Sequence, residues 1–83
     1  MTKMRAKMIV LSSVPMGEPG TAEVLKMSAV AKSTAYPADG SDEDNTYAQY
    51  SPYGALELHI ANPNLHGKFK AGDKFYVDFT PAE

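Results

Sequence analysis

Four tyrosines, Tyr36, Tyr47, Tyr50 and Tyr53, fall in one stretch of this chain together with the carboxylates Asp39, Asp42, Glu43 and Asp44. Aromatic faces stack on any base with little regard to its identity, so tyrosines beside a cation make a site for a nucleotide-like ligand. Arg5 and Lys68 are the cations expected to supply the anion-binding half. They belong to a basic stripe, Lys3, Arg5 and Lys7, and a basic turn, Lys68, Lys70 and Lys74. The competing reading of the tyrosines is structural, and it is the stronger of the two. Amphipathic rings on a small β protein line the core edge or a subunit interface, where the ring is buried and the hydroxyl reaches water.

Bond-making chemistry finds few residues. The acidic run invites a calcium reading, but counted from Asp39 the sixth place is Asp44 and the twelfth is Tyr50, where an EF-hand loop needs glycine and glutamate. A solvated acidic loop is the expectation, with no metal and no cofactor. His59 and His66 are seven apart across a strand end and a turn, which is not metal-ligand spacing, and both read as structural. Neither a nucleophile elbow nor a phosphate-binding glycine pattern occurs, and the lack of cysteine removes thiolate sites and disulfides. The chain therefore reads as no enzyme, in a reducing, intracellular setting.

The elements that must position these residues follow from periodicity. Lys3 to Val14 alternates, with Met4, Ala6, Met8 and Val10 on one face, and its apolar Ile9-Val10-Leu11 end is expected to be covered on both sides. Pro15 to Gly20 reads as a hairpin loop. Thr21 to Ser33 resumes the alternation and predicts a second, antiparallel strand. Its good helix formers make a helix the alternative. Within Tyr36 to Gly54, turn chemistry leads into a short strand over Asn45 to Tyr53. Leu56, Leu58 and Ile60 alternate with Glu57 and His59 in the clearest strand of all. Asn62-Pro63 through Gly67 then reads as one helical turn with Asn62 as its cap, and Lys74 to Thr80 as the last strand, stopped by Pro81.

The predicted core is Met8, Val10, Leu25, Met27, Leu56, Leu58, Ile60, Leu65, Phe69, Phe75, Val77 and Phe79. With 83 residues the chain holds one β domain, 1–83, carrying the acidic, tyrosine-rich loop 36–54. The expected fold is mainly β: a small four- to five-stranded antiparallel barrel, or a sandwich-like sheet, with one short helical turn. So short a chain buries too little surface for a comfortable margin of stability, and association with itself is the expected remedy. A net charge of −2 argues against nucleic acid, and the longest apolar run is too short for a membrane span.

The segments Asp39-Gly-Ser-Asp-Glu-Asp-Asn-Thr-Tyr-Ala48, Tyr50-Ser51-Pro52, Leu56 to Asn62 and Gly67-Lys68-Phe69 to Pro81 resemble a group of small accessory proteins of tailed bacteriophages. The resemblance covers most of the chain from about Val24. It implies a viral origin and a soluble accessory role, in the host cytoplasm or the virion, and transfers no catalytic or binding residue.

Three functions then compete. The leading one is a homo-oligomer that sequesters a nucleotide-like host-defence signal or blocks a host protein. The alternatives are a structural virion component, such as a capsid decoration or head-completion protein, and a small single-strand nucleic-acid binder.

Overall fold

Alternating apolar and polar residues produce the longest element, β1 (Arg5–Met16), in which Ala6, Met8 and Val10 are buried and the residues between them half-buried. The computed structural model describes residues 4–17 and 22–82. There the chain is mainly β: β1 is followed by β2 (Ala22–Ala29), β3 (Ala55–Ile60) and β4 (Lys74–Asp78), with a 3-10 turn at Pro63–Leu65. Every pairing is antiparallel, and the order across the sheet is β3-β2-β1-β4.

The four strands and the single helical turn match the expectation, and the stretch after Thr21 is strand rather than helix. The barrel does not form within one chain, because β3 and β4 remain as edges. Four strands at about 4.8 Å spacing cannot bend far enough to meet. No strand occupies Asn45 to Tyr53, which is folded into turns and bends. The hairpin loop expected over Pro15 to Gly20 begins later, since β1 continues through Met16. Glu18 to Gly20 of that loop, and Lys3 of the basic stripe, lie outside the described residues.

Register places the core. Met8 and Val10 of β1 lie opposite Ala29 and Met27 of β2, Met27 and Leu25 of β2 lie opposite Leu56 and Leu58 of β3, and Ala6 and Met8 face Val77 and Phe75 of β4. Between Val10 and Ser12 the register slips by one residue, a β-bulge at Leu11. The bulge returns Ser13 to the face of Leu25 and leaves Leu11 57% exposed, so that end of β1 is not covered on both sides. β4 pairs only as far as Ile9, so the last residues of β1 have an open edge. Pro15 is tolerated there because alternation would aim its missing N–H at that edge rather than into the ladder.

The buried set is Ala6, Met8, Val10, Val24, Leu25 and Met27, with Leu56, Ile60, Phe69 and Val77 packed against the central cluster. Leu58, Leu65, Phe75 and Phe79, expected inside, are between 37% and 50% exposed. The alternation had their direction right for the strand residues, but a single sheet has only loops to cover its apolar face. The protein is accordingly a slab, 51 × 32 × 16 Å. Among the described residues no helix is long and apolar enough to cross a membrane.

Candidate functional site

Short acidic side chains curl the loop after β2 by accepting hydrogen bonds from backbone just ahead of them. Asp39 Oδ1 accepts from the Ser41 N–H at 3.0 Å, and Asp42 Oδ1 accepts from the N–H groups of Asp44 and Asn45 at 2.9 and 3.1 Å. Between the two turns Gly40 adopts φ +74°, and its carbonyl accepts from the Tyr50 N–H at 2.7 Å, closing the loop on itself. The Tyr50 ring lies directly over Gly40, its hydroxyl donating to the Ala38 carbonyl at 2.6 Å.

Asn45 fastens this loop to the sheet. β2 pairs with β1 only from Met8 onward, which leaves the backbone of Arg5 and Lys7 facing the gap. The fully buried Asn45 side chain fills it: Oδ1 accepts from the Lys7 N–H at 2.8 Å, while Nδ2 donates to the Val30 carbonyl at 2.8 Å and to Asp42 Oδ2 at 3.1 Å. Thr46 extends the graft, its Oγ1 accepting from the Arg5 N–H and its own N–H donating to the Arg5 carbonyl. Two residues of loop thus imitate the missing strand. Nothing in the periodicity points to this. The visible signal is local, an asparagine closing an Asp-rich turn.

The acidic loop is therefore not merely solvated. Asp42 is 3% exposed. Burial works against its charge, but the Asn45 amide and the N–H groups of Asp44, Asn45 and Lys32 outweigh it and hold the carboxyl below its usual 3.8. Asp44 meets Lys7 Nζ at 3.4 Å and the Tyr76 hydroxyl at 3.1 Å, and Glu43 meets Lys32 Nζ at 2.8 Å. Lys7 and Lys32 thus pair with the acidic loop inside one chain.

A depressed Asp42 pKa stabilises the fold fully above the unfolded value and loses that contribution as pH falls through the folded one. Resistance to urea is expected to decline below about pH 4, and Asp42→Asn should flatten that decline. Chemical denaturation of both proteins across acid pH checks it, and identical slopes would contradict it.

The four tyrosines proposed for ligand binding separate into three places. Tyr36 and Tyr50 touch edge to face, with ring centroids 5.9 Å apart, inside the loop. Tyr47 lies over the apolar face beside Gly54, bordering a depression of about 150 Å³ with Met4, Ala6, Met8 and Phe79. Burial, and secondarily the Asp42 charge, raise its phenol pKa above 10.0. Tyr53 is 95% exposed.

Arg5 is held by Asp78 through Nε and Nη2 at 2.6 and 3.1 Å and lies 4.4 Å over the Tyr76 ring, so its charge is already matched. The Asp78 hydrogen bond, more than any other cause, raises its pKa. The groove beside it, about 440 Å³, is lined by Glu43, Thr46, Asp78 and Thr80 and by none of the four tyrosines. Lys68 is exposed next to Gly67, whose N–H reaches Glu23 Oε1, and Glu23 lies opposite Pro15. Arg5 and Lys68 thus belong to opposite ends of β1, about 30 Å apart along the strand.

Both histidines serve the fold. His66 Nε2 lies 2.6 Å from the Ile60 carbonyl and therefore donates to it, and His59 lies 3.0 Å from Glu57. Among the described residues no three of His, Asp and Glu are grouped to hold a metal ion. Met4, Tyr47, Leu58, Phe75 and Phe79 ring the buried cluster on one side of the sheet, each 37% to 50% exposed, while Leu11, Val14 and Tyr76 are exposed on the other. The chain matches no protein-family model, no curated protein and no solved structure.

Proposed function

We propose that this is a non-enzymatic accessory binding protein that works by docking the apolar face of its sheet against a protein surface. The observation that carries this reading is the half-covered face itself, with five large apolar side chains around a cluster of five buried apolar residues. A patch of that kind marks an interaction surface. The ionisable groups of the loop and of β1 support the same reading, since Asp42, Asp44, Arg5 and Lys7 are spent on structural pairs.

In the setting implied by the phage resemblance, blocking a host protein in the host cytoplasm and taking a place in the virion both require only such a surface. Sequestering a nucleotide-like signal requires a pocket of roughly 300 Å³ or more with convergent polar groups. The expected tyrosines and cations do not converge within one chain, so this reading falls behind. Single-strand binding falls further, because carboxylates neutralise Arg5 and Lys7 where phosphates would have to sit.

Native mass spectrometry of the purified protein separates these readings. The expected spectrum contains whole multiples of the chain mass with no small-molecule adduct. A stoichiometric small mass, retained by the wild type and lost on Tyr47→Ala or Tyr53→Ala, would replace docking with sequestration.

A further inference from the structure

We infer that the partner covering the apolar face is the same face of a second copy of this chain, related by a two-fold axis, so that two sheets stack into one sandwich. The inference rests on the docking reading above and names its occupant.

Surface area gives the first argument. A compact monomer of 9.0 kDa exposes about 4,900 Å², whereas this chain exposes 5942 Å². The excess of about 1,000 Å² is close to the roughly 800 Å² that each partner contributes to a standard interface. Shape agrees. The radius of gyration is 14.9 Å, where a compact chain of 83 residues has about 12 Å. A slab 16 Å thick is one layer, and a second sheet stacked about 10 Å away would restore two layers around a shared core.

The character of the face gives the second argument. By alternation, the residues pointing to that side are Met4, Ala6, Met8, Val10, Ser13 and Pro15 of the first segment, Glu23, Leu25, Met27 and Ala29 of β2, and Leu56, Leu58, Ile60, Phe75 and Val77 of the outer strands. Glu23 is the only ionisable one among them, and it is already buried, with Oε1 held by the Gly67 N–H. Two copies can therefore meet without burying an unpaired charge from each rim, the commonest reason why like faces reject each other. A two-fold axis uses one patch twice, so a self-compatible surface is sufficient.

Edge-to-edge association is the competing geometry, and the edges are guarded. Pro15 interrupts the open edge of β1, the Glu57 and His59 pair marks β3, and Lys74 and Asp78 bracket β4. Stacking leaves the opposite face, with Leu11, Val14 and Lys26, available for other targets.

Light scattering across a wide range of concentration tests the inference on the wild type, on Phe79→Asp and Leu58→Asp from the apolar face, and on Leu11→Asp from the opposite one. Leu58→Asp, at the far edge of the face, serves if Phe79→Asp fails to fold by circular dichroism. The wild type is expected to be a dimer. The face variants should raise its dissociation constant about thirtyfold or more, and Leu11→Asp by less than about threefold. A wild type that is monomeric throughout, or a dimer broken by Leu11→Asp and not by the face variants, would overturn the inference. Binding of an apolar fluorescent dye keeps the two levels apart. A monomer that binds dye in a Phe79-dependent way ends the second copy but leaves the docking reading, whereas a monomer that binds none ends both.

Discussion

Replacing Asn45 with alanine is expected to lower the unfolding free energy by about 3 to 4 kcal/mol, a large share of the roughly 4 to 12 kcal/mol available to a domain of this length. The reason lies in what would be left behind. Lys7 N–H would lose its acceptor, and the Val30 carbonyl and Asp42 Oδ2 their donor, at a site the fully buried asparagine now seals. Each buried group without a partner costs about 1 kcal/mol or more. Thermal unfolding should fall by about 15 to 25 °C. Asn45→Asp keeps an acceptor for Lys7 but sets a second carboxylate against Asp42. It should be at least as damaging at neutral pH and recover in part as acid neutralises the pair. A loss below about 1 kcal/mol for Asn45→Ala, measured by chemical denaturation, would mean that the loop does not brace β1.

Gly40→Ala carries the second large effect, about 2 to 4 kcal/mol. Its φ of +74° strains any L side chain, and an added Cβ would stand 2.4 Å from Tyr50 Cε2 and 2.7 Å from Cζ. The ring must leave, taking with it the hydroxyl bond to Ala38 and the contact with Tyr36. Faster hydrogen exchange at the Tyr50 amide and a weakened near-ultraviolet signal should report the opened loop. Gly67→Ala is the control, because its φ of +77° imposes a similar backbone strain with nothing within 4 Å of the added methyl. It should cost only about 1 to 2 kcal/mol. Equal losses at the two glycines would contradict the packing of Tyr50 on Gly40.

Strands were legible in the sequence wherever side chains alternate, because a half-buried strand writes its period of two directly into residue types. β3 and the Asn62-capped turn came through closely for that reason, the cap accepting from the Asn64 N–H at 3.0 Å as its residue type implies. The core was legible in direction and not in depth. Leu58 and Phe79 do point to the apolar side, yet alternation says nothing about how many layers will cover that side. The loop was the opposite case. Its charges suggested solvent, while Asp42 and Asn45 are among the most buried side chains, through hydrogen bonds to β1 and to the end of β2. Such long-range polar contacts leave no period to read. The tyrosine and cation site failed for the same reason, since proximity in sequence placed four tyrosines in one segment that the fold then divides.

A sandwich completed by a second copy is most directly tested by isotope-filtered nuclear Overhauser spectroscopy on an equal mixture of labelled and unlabelled protein, which detects only contacts between chains. The account predicts cross-peaks joining Met4, Leu58, Phe75 and Phe79 of one copy to the same set on the other. Cross-peaks confined to Leu11 and Val14, or none at concentrations where the protein is fully folded, would contradict it.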